Sequence, residues 1–132
     1  MNRFLSRVFA LALVLVVGLM GCSSSPTGLS GNYRQDTLAL IESLKGALEL
    51  PNDSPDKIEA QVEAREKIND FSARYRRDGS LLKLSSFTTM RTALNSLAGH
   101  YSSYPNRPVP QKLKDRLEIE FNQVEAALRR EG

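Results

Sequence analysis

Apolar residues recur along this chain at spacings of three and four, the period of helices that bury one face, and no alternating strand pattern competes with them. The first such segment runs from about Tyr33 to Leu50, with Leu38, Ile41, Leu44 and Leu48 on one side, Asp36 in its first turn and Pro51 behind it. A second opens at Ser54, a favourable N-cap, with Pro55 at the first helical position where a missing N–H costs nothing. It continues to about Asp78 over Ile58, Val62, Ile68, Phe71 and Tyr75, and Gly79 is expected to close it in the left-handed conformation. The third, from about Ser86 to Ser103, repeats Phe87, Met90, Leu94, Leu97, Tyr101 and Tyr104, the seam of a helical bundle. The fourth starts at Pro110 and runs to about Arg130 with Leu113, Leu117, Phe121, Val124 and Leu128 inward.

Short connections join antiparallel neighbours most readily, so the expected fold is all-α, an up-down-up-down antiparallel four-helix bundle over residues 32–132. That topology brings the first helix start, the second helix end, the third helix start and the chain end to one pole. Arg74, Arg76, Arg77, Arg129 and Arg130 gather there, where they complement helix dipoles or meet an anionic membrane surface.

The segment before the bundle carries a different signal. Arg3 and Arg7 precede an apolar run from Phe9 to Val17, shorter than the roughly 20 residues a membrane-spanning helix needs, and Leu19-Met20-Gly21-Cys22 has the form of a bacterial lipobox. Residues 1–21 are therefore expected to be a lipoprotein signal peptide, with Cys22 as the first mature residue and the lipid attachment site. It would carry S-diacylglycerol and an N-acyl chain, because a single acyl chain anchors only marginally. Cys22 is the sole cysteine, so no disulfide forms within the chain. Residues 22–31, rich in Ser, Pro, Thr and Gly, are expected to be a flexible lipidated tether; the nine from Ser23 to Gly31 would reach about 17 Å as a coil.

Without the leader, 16 basic side chains face 15 acidic ones, so the overall charge of +3 belongs mostly to the leader. A near-neutral domain lacks the surplus of cations that a nucleic-acid binder needs. Enzymatic and metal-centre readings fail for want of ligands. The single histidine, His100, has no nucleophile elbow or phosphate loop beside it, Glu-x-x-His is missing, and His100 and Met90 share one helix and cannot clamp a haem from two sides. The expectation is no enzyme, no metal and no cofactor beyond the lipid on Cys22.

Binding is the remaining class of function. Lys112 and Lys114 sit at a helix start, where the dipole favours acids, and Lys112, Arg116, Ile119 and Gln123 form a stripe away from the apolar seam. On the third helix Thr88, Thr92, Asn95 and Gly99 make a stripe of small residues expected to pack against a neighbouring helix, with Arg91 beside it as an external contact. Candidate partner-binding residues are thus Arg91, Asn95, Lys112 and Arg116, with Arg74, Arg76 and Arg77 as an alternative basic pole.

Several strings, in order and spacing, resemble the photosystem II assembly and repair lipoprotein family of cyanobacteria, that of the photosystem's subunit numbered twenty-seven. They are Tyr33-Arg34-Gln35-Asp36-Thr37, Arg74-Tyr75-Arg76-Arg77-Asp78-Gly79, Ser86-Phe87-Thr88-Thr89-Met90 and Leu97-Ala98-Gly99-His100-Tyr101, with Pro110 opening the last helix. The resemblance spans the mature chain. It implies a monomeric four-helix bundle, lipid-anchored on the lumenal side of the thylakoid membrane and docked on the lumenal loop of a chlorophyll-binding core antenna protein of photosystem II. It further implies that the factor keeps extrinsic oxygen-evolution subunits off assembly intermediates while the manganese cluster is built, binding neither metal nor nucleic acid itself. A generic envelope lipoprotein that scaffolds some other complex is the alternative.

Overall fold

The computed structural model describes residues 29–105 and 107–131. The lipobox, Cys22 and most of the expected tether lie outside the described residues. Four α-helices occupy the described chain: α1 (Tyr33–Glu49), α2 (Lys57–Tyr75), α3 (Ser85–Ser103) and α4 (Gln111–Glu131). A short 3₁₀ segment, Gly79–Lys83, connects α2 to α3. Helix α1 packs on α2, α2 on α3, α3 on α4 and α4 back on α1, which closes a four-membered ring.

Polar contacts between helix ends fix the directions. Asp36, in the first turn of α1, meets Tyr75 at the end of α2. At the other pole, Lys57 at the start of α2 reaches the carbonyls of Ala47 and Leu50 at the end of α1. Ser86 at the start of α3 holds Glu131 at the end of α4. Neighbours therefore run antiparallel, and α1 begins at the pole where α4 ends.

The core is continuous, with Leu40, Ile41 and Leu44 from α1, Ile68 and Phe71 from α2, Met90 and Leu97 from α3, and Leu117, Phe121 and Val124 from α4 all nearly inaccessible. Its aromatic part lies at the first pole. Tyr33 meets Tyr75 and Phe87 edge-on with centroids 5.6 and 6.2 Å apart, and Phe71 lies 4.9 Å from Tyr75, arrangements favoured by ring quadrupoles.

Several sequence expectations are corrected. Leu38, Ile58, Val62 and Tyr104, assigned to the inner seams, are 39%, 74%, 49% and 48% exposed. Leu40 takes the core position in α1, and Ala64 takes it in α2. Helix α2 begins at Lys57, with Asp56 rather than Ser54 at the N-cap, because Ser54 and Pro55 belong to a preceding turn in which the Lys57 N–H donates to the Ser54 carbonyl at 3.1 Å. It ends at Tyr75, where Arg76 caps it, and not at Asp78. Gly79 does not adopt positive φ; it opens the 3₁₀ segment, whose N-cap Asp78 accepts the Ser80 N–H at 3.1 Å.

The described end of the expected tether is not free either. Leu29 is 5% exposed and joins the core, and Ser30 and Gly31 are bound to Asp36. The domain thus begins at least three residues earlier than composition indicated: a lone leucine among small polar residues carries no periodic signal, yet it fills an apolar space at the end of the bundle. Gly31, at φ +91°, supplies the left-handed turn that Leu29 needs to fold back.

Candidate partner-binding surface

Each pole is built by side chains that satisfy backbone groups of another helix. At the first pole, the Asp36 carboxylate is buried and accepts from the Ser30 N–H (2.6 Å), the Ser30 hydroxyl (2.8 Å), the Gly31 N–H (2.9 Å) and the Tyr75 hydroxyl (2.5 Å). Burial would raise this carboxyl, but the hydrogen bonds from Tyr75, Ser30 and Gly31 outweigh it and hold it below the usual range. The same pairing acts in reverse on Tyr75, whose phenol is pushed up first by burial and then by the Asp36 charge. Burial alone pushes the Tyr101 hydroxyl up to about 12.

Helix α3 lacks a side-chain cap of its own, since its N-cap residue is Leu84. Glu131 supplies one from α4, accepting the Ser86 N–H at 3.1 Å and the Ser86 hydroxyl at 2.5 Å. Because the Ser86 hydrogen is spent on Glu131, Tyr33 donates to Ser86 Oγ at 2.7 Å. At the opposite pole Lys57 is 6% exposed and donates to the Ala47 and Leu50 carbonyls at 2.9 and 3.0 Å, occupying acceptors that the end of α1 leaves unpaired. Burial lowers the Lys57 pKa, and the nearby Lys114 charge adds to this.

These clusters explain the fold and contain no reactive constellation. His100 packs against Tyr101 and Tyr104, with Nε2 3.4 Å from the Arg107 carbonyl. Among the described residues no three His, Cys, Asp or Glu side chains are grouped as metal ligands. No described helix is long and apolar enough to cross a membrane. Open clefts of about 370 Å³ between α1 and α4, lined by Lys45, Glu49, Lys114 and Glu118 among others, and of about 210 Å³ between Ile58, Gln61, Pro105 and Pro108 mark the described surface.

The candidate residues are all on the surface but do not form one patch. Ser86 marks the flank of α3 that faces α4. Arg91, five positions on, is turned about 140° from it, toward α2. On α4, Lys45 of α1 pairs with Glu125 at 3.3 Å. Arg116, nine positions earlier, is turned about 180° from that flank, and its Nε is held by Glu120 at 2.8 Å. Lys112 lies one turn before it. Arg91 and Asn95 thus stand on one side of α3, and Lys112 and Arg116 on the other. Arg74 pairs with Asp70 at 3.4 Å, while Arg76 and Arg77 follow the end of α2 at the first pole.

The small-residue stripe Thr88, Thr92, Asn95 and Gly99 was expected to pack against a helix; all four residues are exposed. The Thr88 and Thr92 hydroxyls turn back onto carbonyls of their own helix, those of Ser85 (3.2 Å) and Thr88 (3.1 Å). The small residues that are buried instead are Ala93 on α3 and Ala127 on α4.

What the sequence reading missed lies on the same side of the bundle as Arg91 but nearer the far pole, where Ile58 borders Pro105 and Pro108. Lys67 bonds Ser43 of α1 at 3.0 Å and so marks the α1 flank of α2. Ile58 and Val62 lie about 180° and 140° around the axis from Lys67, toward α3, and Arg65 shares their side. Their signal was available, because both fall out of phase with Ala64, Ile68, Phe71 and Tyr75. The surface they form with Arg91 and Asn95 is apolar at one end and cationic along its length, and among the described residues neither Arg91 nor Asn95 has a side-chain polar partner. Beyond it Arg107 stacks on Tyr104 at 5.4 Å.

Comparison with known proteins gives a single answer. The family described as Photosystem II Pbs27 matches residues 6–128. The chain is 64% identical over 132 residues to the photosystem II assembly factor lipoprotein Psb27 of Thermosynechococcus vestitus, covering all of this chain and 98% of that protein. It is 56% identical to the photosystem II lipoprotein Psb27 of Synechocystis, over 96% of this chain and 93% of that one. The photosystem II repair protein PSB27-H1 of Arabidopsis thaliana is 37% identical, over 98% and 78%. The solution structure of Psb27 from cyanobacterial photosystem II superposes with a TM-score of 0.77 at 55% identity, covering 83% of this chain and 95% of that one. Two of these relatives are named as an assembly factor and a repair protein, a non-catalytic role, and the solved structure shares the four-helix fold. With a family match over residues 6–128 and 64% identity over the whole chain, the chain belongs to the Photosystem II Pbs27 family.

Proposed function

We propose that this protein is a non-catalytic assembly and repair factor of photosystem II, attached to the lumenal side of the thylakoid membrane through S-diacylglycerol and an N-acyl chain on Cys22. The observation that carries the reading is 64% identity over the whole chain to a photosystem II assembly factor lipoprotein. In this reading residues 1–21 are removed and the factor acts as a monomer. It docks on the lumenal loop of a chlorophyll-binding core antenna protein and, by occupying space, keeps the extrinsic oxygen-evolution subunits off until the manganese cluster is assembled. The α2–α3 face supports a reversible protein contact: Ile58 and Val62 make its far end apolar, and Arg91 offers an unpaired guanidinium suited to a carboxylate. Lys112 and Arg116 lie on a different face and are a second contact at most.

Competition tests the gating. Purified factor and extrinsic subunits are added to photosystem II core complexes, and co-purification is measured. The expected result is mutual exclusion; simultaneous stoichiometric binding without loss of either refutes it. Arg91→Glu is expected to abolish co-purification with the core antenna protein, while Lys112→Glu is expected to weaken it less. The reverse ranking would move the contact to α4.

A further inference from the structure

We propose that the pole from which the lipid tether emerges is itself a membrane-contact surface, a basic tip that lies on anionic lipid headgroups and holds the bundle end-on to the bilayer. Three observations converge on that pole. Leu29 enters the core there, so the described chain begins at that end of the molecule, and the six residues from 23 to 28 span at most about 20 Å even fully extended. The membrane is therefore within reach of this pole alone.

Second, the cations there are free. Arg76 and Arg77 follow the end of α2, Lys83 ends the 3₁₀ segment, and Arg129 and Arg130 lie in the last turn of α4. All five are exposed, and among the described residues none makes an ion pair. The nearby carboxylates are engaged within the fold: Asp36 on Tyr75, Glu131 on Ser86 and Asp78 on Ser80. At the far pole Glu49, Asp53, Asp56 and Glu59 are exposed and offset Arg107, Lys112 and Lys114. Dipole complementation accounts for Arg129 and Arg130. It extends to Arg76 at the C-cap of α2 but does not account for Lys83, which stands at the end of the 3₁₀ segment.

Third, Leu82 projects from that connection, 51% exposed, between Arg77 and Lys83. An exposed apolar side chain on a short connection with cations before and after it in the chain is an arrangement that settles into the headgroup region, with leucine toward the acyl boundary and cations toward phosphate or sulfonate. Contact of this kind would keep the α2–α3 face perpendicular to the membrane, where a lumenal partner can meet it. The inference draws on acylation of Cys22 only for the tether's anchorage, and the test removes that dependence.

The mature full chain carrying Cys22→Ser, and so unable to be acylated, is sedimented with vesicles of phosphatidylcholine alone or with 30 mol% phosphatidylglycerol, at 20 and 500 mM salt. Partition is expected to favour the anionic vesicles at low salt and to collapse at high salt. Each surface cation is worth roughly fivefold in partition, a factor equivalent to about 1 kcal/mol. Arg76→Glu with Arg77→Glu should therefore lower partition at least ~25-fold, while Lys112→Glu with Lys114→Glu leaves it within twofold. Melting followed by circular dichroism verifies that both double variants fold. Equal partition on the two vesicle types, or equal losses from the two variants, overturns the proposal. So does a first variant that keeps its vesicle binding but loses photosystem II core complexes, which would make this pole a protein contact. Loss of core binding by Arg91→Glu with vesicle partition unchanged keeps the two surfaces distinct.

Discussion

Replacing Asp36 by asparagine tests a carboxylate that ties the N-terminal segment to the end of α2. The carboxylate accepts four hydrogen bonds and is 1% exposed. Hydrogen bonds to a charged acceptor contribute about 1.5–3 kcal/mol each when singly removed, but the four share one group and are not additive. An amide retains one acceptor oxygen and turns its NH₂ against the donors on the other side. The expected loss is about 3 kcal/mol at pH 7, roughly 12–20 °C in Tm for a domain of this size. Tyr75→Phe removes a single donor and should cost about 1.5–3 kcal/mol. In the double variant the coupling should recover about 1 kcal/mol or more, because the second change removes a partner already lost.

The pH dependence is a sharper test. The folded Asp36 pKa lies below its unfolded value, so its contribution is fully present above about pH 4 and disappears as pH falls through the folded pKa. Urea unfolding of wild type and Asp36→Asn between pH 7 and pH 3 should show a constant gap at the upper end that narrows below about pH 4. A gap under 0.5 kcal/mol at pH 7, or one that does not change down to pH 3, would refute the account of Asp36 as an ionised acceptor joining the N-terminal segment to α2.

Three further outcomes follow from the packing. Lys57→Met leaves the Ala47 and Leu50 carbonyls without their charged donor and should cost about 1–3 kcal/mol in urea unfolding, with amide exchange accelerated first in the last turn of α1. Ser86→Ala removes the buried hydroxyl between Tyr33 and Glu131 while leaving the Ser86 N–H on Glu131, and should cost about 1–3 kcal/mol, the value of a hydrogen bond to a charged acceptor lost from a buried site, whereas the exposed Ser103→Ala should change stability by less than 0.5 kcal/mol. Phe121→Ala, at a position with no accessible surface, should cost about 3–5 kcal/mol by thermal melting, while Ile119→Ala, 59% exposed on the same helix, should cost under 1.

The amino-acid sequence by itself determined that four helices form and roughly where, because a three-four apolar period and Pro51 are local signals that any packing must respect. In α3 and α4 the inward faces were legible almost residue by residue: Met90, Leu94, Leu97, Leu117, Phe121 and Val124 leave one helical phase open to them. Ile119 was expected outside and is outside. In α2 the phase was ambiguous, since Ile58 and Val62 compete with the smaller Ala64 for the apolar face. Only contact with α1 on one side and α3 on the other decides that the alanine goes in. The stripe on α3 was misjudged for the same reason, because small size permits close packing without requiring it.

Tertiary structure alone decided the caps and the start of the domain. Glu131 serves α3 from 45 residues away, Lys57 serves α1 from the next helix, and Tyr75 reaches Asp36 across 39 residues. Such partners leave no mark at a fixed spacing, since a backbone group left unpaired at a helix end takes whichever polar side chain the packed neighbour brings within about 3 Å. Leu29 is the same case in apolar form: its burial depends on a space that exists only once the four helices have closed around it.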